Sequence, residues 1–357
     1  MKQNSKLFRF DWIRGLAMIF VIITHFNETL INLNMDSPCI HLFMGKRVSF
    51  SQMGVILFLL MSGTLSVMSL ERGLPESGKM EKRAVLTYYK KRMLSILPLY
   101  YLAYIVAYIV FMSPDKIQFH GSMIFTLFGL DGYLSLYHIP TFYLVGEWFI
   151  GMIIICYLVC PLLYQAIRKY PKITFCVLVI YYLLVMNFYP FARNKETDAM
   201  LRVVDFAIGM YFGIYVKKIP RAVAAIALAI TVVFCSVGAR FDYMYSVLIQ
   251  GVALYCILWF VGDFLQTISV KPIAKLKSIF AIWAKYSFAV YMIHKMIIDQ
   301  VLTPFEGNAA GVGGYVRLLG CSAVLMVALG VILFSAEKYI MQNIGKSEKK
   351  VEKEKVR

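Results

Sequence analysis

Charge is scarce in this 357-residue sequence: 16% of residues are Asp, Glu, Lys or Arg, against 60% hydrophobic. A soluble domain of this length has no use for so much apolar surface, so most of the chain faces lipid or other helices. The acidic half of that charge is the scarcer, 20 residues against 37 basic, for a net charge of +17. The basic residues recur in alternate loops rather than in one patch, which argues against nucleic acid as a partner. Seven cysteines provide neither a disulfide framework nor a metal spacing. Six lie inside apolar runs, and Cys39 falls in a predicted exposed loop. No G-x-S-x-G elbow, phosphate-binding glycine loop or Cys-His ligand spacing occurs, so a soluble type of acyl-transfer or nucleotide site is excluded.

What remains are apolar runs of roughly twenty residues, the length a helix needs to cross the hydrocarbon. They predict an all-α integral membrane protein of about ten transmembrane helices, at 9–30, 51–70, 93–112, 144–166, 172–191, 200–216, 221–238, 244–266, 281–304 and 315–341. One set of connections holds Arg72, Lys79, Lys82, Arg83 and Lys90 to Arg92, then Arg168, Lys169 and Lys172. It continues with Lys217, Lys218 and Arg221, and then Lys271, Lys275 and Lys277. The intervening loops hold far fewer cations, so both termini are expected in the cytoplasm. The first run carries Asp11 and Arg14 and lacks a small-residue cleavage site, so it reads as a span rather than a signal peptide. Residues 1–345 form a single transmembrane domain and 346–357 a frayed, charged cytoplasmic tail. The connection 113–143 is rich in Phe, Leu and Tyr from Met123 to Tyr137, which predicts that it dips into the bilayer or covers a cavity.

Ionisable residues inside spans are costly, about 2.5–3.5 kcal/mol on insertion scales, and are therefore functional candidates. The first span carries the sharpest set, Asp11-Trp12-Ile13-Arg14 and then His25. Eleven residues at 100° each return His25 to the Arg14 face, about 16 Å further along the axis. Arg14 reads either as a ligand-binding cation or as a snorkelling anchor. His25 reads as a reactive imidazole or a packing histidine. Gln52 and Ser62-Gly63 belong to the second span, Arg92 opens the third, and Glu147-Trp148 stands near the outer end of the fourth. Arg202 and Asp205 are spaced to pair with each other. Ser287, Tyr291 and His294 share one face of the ninth span, where His294 is either a helix-packing donor or a catalytic group. His41, His120 and His138 fall in outer loops without metal-like spacing.

At these residues the sequence resembles the acyltransferase 3 family, ten-span membrane enzymes that O-acylate bacterial surface glycans. The resemblance runs through Asp11-x-x-Arg14-x10-His25, the second-helix run ending Ser62-Gly63, and Lys91-Arg92 before Pro98-Leu99-Tyr100. It continues through Trp148-Phe149, Arg202-Val-Val-Asp205-Phe206-Ala-Ile-Gly209, and Tyr286-Ser287 to Tyr291-Met-Ile-His294. Two positions depart from the family's pattern. Ser95 stands where members often carry a second arginine, and Ile153 lies in the stretch where many place a glutamate.

The resemblance implies a cell-membrane O-acyltransferase of the bacterial plasma membrane, with no bound cofactor or metal. Acetyl-CoA or another acyl-CoA serves as co-substrate, and a glycan hydroxyl as acceptor. It implies that Arg14, Arg92 and Ser62 hold the donor. His25 acts as general base or transient acyl carrier, and Trp148, Tyr291 and His294 contact the acceptor; Glu147, which stands before Trp148 rather than after it, or another carboxylate orients the ring. The rival reading is a lipid-linked glycan flippase or small-molecule transporter, which would also keep buried charges on a cavity. Against it, the sequence shows no inverted repeat and no matched pair of Gly/Pro-broken helices. A glycan polymerase is a third reading, and the modest outer loops speak against it.

Overall fold

The computed structural model describes residues 8–40, 50–75, 80–111, 120–142, 145, 147–191, 194–237, 242–309 and 311–355. Among them every regular element is helical. The long helices are α1 (Phe8–Asn32), α2 (Phe50–Glu71), α3 (Lys82–Leu94), α4 (Leu97–Phe111) and, after a short α5 (Asp131–Ser135), α6 (Glu147–Lys169). They continue with α7 (Pro171–Phe188), α8 (Ala199–Tyr215), α9 (Arg221–Val237), α10 (Tyr243–Thr267), α11 (Lys271–Leu302) and α12 (Val312–Lys355).

Where they lie among the described residues, the ten expected stretches fall mostly on helix, the third of them across two helices. Seven stretches are long and apolar enough to cross a membrane: Phe8–Asn32, Gln52–Glu71, Lys82–Ile109, Trp148–Lys169, Pro171–Phe188, Tyr243–Thr267 and Val312–Ile344. The other three differ for visible reasons. Helices α8 and α9 have 17 residues each, about 26 Å of rise against a hydrocarbon core of about 30 Å. Helix α11 is 32 residues long, but it begins ten residues before the expected span and carries Lys271, Lys275, Lys277, Lys285, Lys295 and Asp299.

The faces that meet no other helix are apolar. Ile173, Val177 and Ile180 on α7, Ile226 and Val232 on α9, and Val316, Val324 and Ile332 on α12 are all exposed. Such broad apolar surface fits lipid contact and not water.

Helix α1 is the hub, packed against α2, α10 and α11, while α2 also lies along α8 and α11 carries α12. Small residues set the closest approach. A Cβ on Gly209 would stand 2.1 Å from the Leu60 carbonyl oxygen, and one on Gly63 would stand 2.1 Å from that of Phe206. Backbones this close are the usual result of glycine at membrane-helix interfaces, where dispersion and hydrogen bonds replace the hydrophobic effect. Thr64 uses the proximity: its Oγ1 lies 2.8 Å from the Gly209 carbonyl oxygen and 2.9 Å from the Tyr255 hydroxyl.

Three expectations need correction. The third span is broken: α3 ends at Leu94 and α4 begins at Leu97. Pro98, which lacks an N–H, sits in the first turn of α4 where that loss costs nothing, and the Ser95 hydroxyl donates to the Arg92 carbonyl at 2.7 Å. The basic stretch 82–92 is therefore helix and not loop. Cys39 is buried, because Met35, Cys39 and Ile40 fold back into the core beyond the end of α1. Helix α12 runs on through the charged segment to Lys355.

The described part of the aromatic connection 113–143 is compact. A 3-10 helix, Gly121–Phe128, ends at Gly129 in the left-handed conformation (φ 69°) and leads into α5. Asp131 is buried there and accepts hydrogen bonds from Tyr100 at 2.5 Å and from Tyr104. The Tyr137 hydroxyl donates to Asp198 at 3.0 Å, tying the segment to the start of α8.

Candidate active site

Two hydrogen bonds fix the direction of α11 beside α1. Trp283 Nε1 donates to the Gly15 carbonyl at 2.9 Å, next to Arg14, and Lys295 Nζ donates to Thr29 Oγ1 at 2.9 Å, beyond His25. The two helices therefore run parallel, and Tyr291 and His294 stand at the level of His25. Phe50 packs on Phe20 with ring centroids 5.2 Å apart and a Cβ on Gly54 would meet the Ala17 carbonyl, so α2 runs the opposite way, with Phe58 toward the His25 end and Leu65 toward the other.

Between these helices, α3 and α6 lies a cavity of about 260 Å3. Its polar lining comprises Arg14, Ser62, Arg92, Ser95 and Ser287, and its aromatic lining includes Phe58, Phe149, Tyr157 and Tyr291. Arg14, Arg92, Ser62 and Tyr291, singled out on separate spans, thus converge on one space. Arg92 is held by its Nη2 donating to the Leu65 carbonyl at 2.9 Å, with its guanidinium 5.1 Å from the Tyr157 ring and 5.4 Å from the Tyr88 ring. Asp11 opposes the charge of Arg14 from one turn away. Ser95 and Ile153, the two departures from the family's pattern, both line the cavity, so it has no third cation and no carboxylate at those places.

The cavity stops one aromatic layer short of a histidine pair. The rings of Tyr291 and His294 are 5.3 Å apart, and those of His294 and His25 are 5.0 Å apart. His294 is 1% exposed. Its Nδ1 lies 2.6 Å from the Tyr291 carbonyl, which can only accept, so Nδ1 carries the proton and Nε2 keeps its lone pair. That Nε2 has no hydrogen-bond partner among the described residues. His25 Nδ1 lies 2.9 Å from Glu28 Oε2. The two are close enough to pair as charges but are not aligned as a hydrogen bond, so the carboxylate acts on the ring through its charge.

Glu28 is the residue the sequence reading missed. Its signal was present, since three residues separate it from His25 on one helix face, but a carboxylate near a helix end looks like an ordinary interfacial charge. Glu147, the expected orienting group, begins α6, and its side chain lies outside the described residues. Trp148 does not line the cavity and packs instead against Phe149, with ring centroids 6.1 Å apart. His120 and His138 are exposed, and His41 lies outside the described residues.

A buried polar network braces the same end of the fold. Arg202, fully buried, donates to Asp205 at 2.9 Å, to the Glu196 carbonyl at 2.8 Å and to Gln52. Gln52 in turn donates to the Glu196 carboxylate at 3.0 Å. Burial pushes the Glu196 carboxyl above the usual range, Arg202 pulls it back, and Glu28 adds to the rise. Among the described residues no group of three His, Cys, Asp or Glu is placed to hold a metal ion.

In comparison with known proteins, the family model Acyl_transf_3, described as an acyltransferase domain, matches residues 7–335. No curated protein and no solved structure matches the chain.

Proposed function

Because the chain belongs to the acyltransferase 3 family, we propose that it carries an acyl group, in the first instance acetyl, from acyl-CoA to a hydroxyl of a cell-surface or lipid-linked glycan. On this reading ten spans keep both termini on one side of the membrane, and the cation-rich connections make that side the cytoplasm of a bacterial cell, with the Arg14 end of the bundle at the inner face. The observation that carries this reading is the shared cavity, with Arg14 and Arg92 at one end and an aromatic end beside His25 and His294. Arginine suits the phosphates of CoA, since its fork of donors matches phosphate oxygens and it is less strongly hydrated than lysine. At about 260 Å3 the cavity lies below the usual ligand range of about 300–1,000 Å3. It has room for the thin arm and the acyl group, and the nucleotide stays at the mouth.

The chemistry then follows from the histidine pair. His25, with the Glu28 carboxylate 2.9 Å from its Nδ1, takes the proton of the acceptor hydroxyl on its other nitrogen as the hydroxyl oxygen attacks the thioester carbonyl. The C–O bond forms, the C–S bond breaks, and the proton passes to the departing thiolate. A variant of the same scheme forms acyl-His25 first and releases CoA before the acceptor attacks. His294, Tyr291 and Trp148 serve the acceptor side.

The donor half is tested by Arg14→Ala. Loss of one charge-assisted phosphate contact weakens acetyl-CoA binding by about tenfold or more. An unchanged binding isotherm in a folded protein would make Arg14 an interfacial anchor.

A further inference from the structure

The donor cavity is polar where Arg14 and Arg92 stand and aromatic at the far end. There Phe149 is the middle of three rings, 5.9 Å from Phe58 and 5.8 Å from Tyr291 by centroid. These rings come from three different helices and stand away from Arg92, which reaches Leu65 on α2 and Tyr157 on α6, while Tyr291 borders His294. They are also braced. Phe149 leans on Trp148 at 6.1 Å, and Tyr291 stacks near His294, whose Nδ1 is bonded to the Tyr291 carbonyl. Packed rings of this kind yield little to an intruding chain, because overpacking forces side chains off their rotamers.

On the reading that acyl-CoA is the donor, we infer that Phe58, Phe149 and Tyr291 form the acyl subsite and restrict the donor to short acyl groups, acetyl to butyryl. The direction of the donor follows from charge: phosphates go to the arginine end, which leaves the acyl group against the rings. The restriction follows from space. Arm and acyl group share about 260 Å3, and a chain that outgrows this space must displace a ring that is held on its other side. The aromatic layer therefore measures the acyl chain at the point where the thioester approaches His25.

The test is competition binding on the purified full-length protein, with labelled acetyl-CoA displaced by acetyl-, propionyl-, butyryl-, hexanoyl- and octanoyl-CoA. A methylene that finds apolar contact gains about fourfold in affinity. Affinity should hold or rise through butyryl-CoA and then drop about tenfold or more at hexanoyl-CoA. In Phe149→Ala the hexanoyl-to-acetyl affinity ratio should rise by about tenfold or more, since the removed ring makes room for contacts of that worth. Phe149→Leu, which keeps an apolar branch and is the safer fold, should shift the ratio in the same direction by less. The ratio is insensitive to a general loss of binding, so simple weakening of the site does not imitate the result. Wild-type protein that binds hexanoyl-CoA as tightly as acetyl-CoA overturns the inference and leaves the donor reading standing. So does a folded Phe149→Ala and Phe149→Leu pair with the wild-type ratio. Wild-type protein that binds no acyl-CoA of any length overturns the donor reading itself, and the acyl subsite with it.

Discussion

Replacing Glu28 with Gln removes the negative charge that faces His25 while keeping the size of the side chain. In the structure the carboxylate oxygen is 2.9 Å from Nδ1 of His25, with the side chains 41% and 20% exposed respectively. A carboxylate this close to an imidazole that becomes charged in the transition state is worth about 1.5–3 kcal/mol, the scale of other charge-assisted contacts. The exposure of Glu28 places it at the low end of that range, since water screens the interaction. Such a contact strengthens as His25 takes the proton, so its loss lowers kcat and leaves the donor Kd near wild type. The expected drop is about tenfold to hundredfold in turnover at saturating acetyl-CoA, with thermal stability unchanged. Initial-rate assays of labelled acetyl transfer, run beside acetyl-CoA binding and a melting curve, separate these quantities. Wild-type turnover in folded Glu28→Gln would refute the role given to Glu28. So would a rate loss matched by a rise in Kd for acetyl-CoA, because the carboxylate would then serve donor binding rather than His25.

Two further predictions concern the frame. Gly209→Ala drives a methyl group into the Leu60 carbonyl and should destabilise the fold by about 1–3 kcal/mol, read as a lower Tm, whereas Gly320→Ala, with open space at its Cβ, should melt like wild type. Arg202→Met leaves Asp205 as an uncompensated buried charge and should cost about 3–5 kcal/mol; adding Asp205→Leu should recover part of that loss, and a double variant less stable than the single would contradict the pairing.

The order of helices was legible from the sequence because apolar runs of bilayer length and alternating basic loops are strong, local signals. The same signals misjudged details that depend on partners. The start of α11 is hidden by Lys271, Lys275 and Lys277, which look like a loop until the helix is seen to extend through them. The break at Ser95 follows from Pro98, yet a single proline inside a long apolar run does not say whether a helix bends or stops. Cys39 looks exposed in sequence because burial of the turn after α1 depends on residues distant in the chain. Around the site, Arg14, Ser62, Arg92 and Tyr291 stood out as polar groups at improbable depths, and the fold brings them to one cavity. Glu28 did not stand out, because its importance lies in one distance, 2.9 Å to His25, and not in its position along the chain. The Gly209–Leu60 approach and the Phe58–Phe149–Tyr291 layer are likewise products of helix packing, which no single segment encodes.

Chemistry at His25 is tested most directly by His25→Gln in sealed membrane vesicles that present the cytoplasmic face outward and are supplied with labelled acetyl-CoA. Glutamine keeps a hydrogen-bonding group near the Glu28 and His294 side chains but cannot take a proton at neutral pH. Wild-type protein should transfer label into the glycan fraction. His25→Gln should transfer none above background while retaining wild-type Tm and acetyl-CoA affinity. A folded His25→Gln protein that keeps most of the wild-type transfer rate would contradict the assignment of His25 as the group that activates the acceptor.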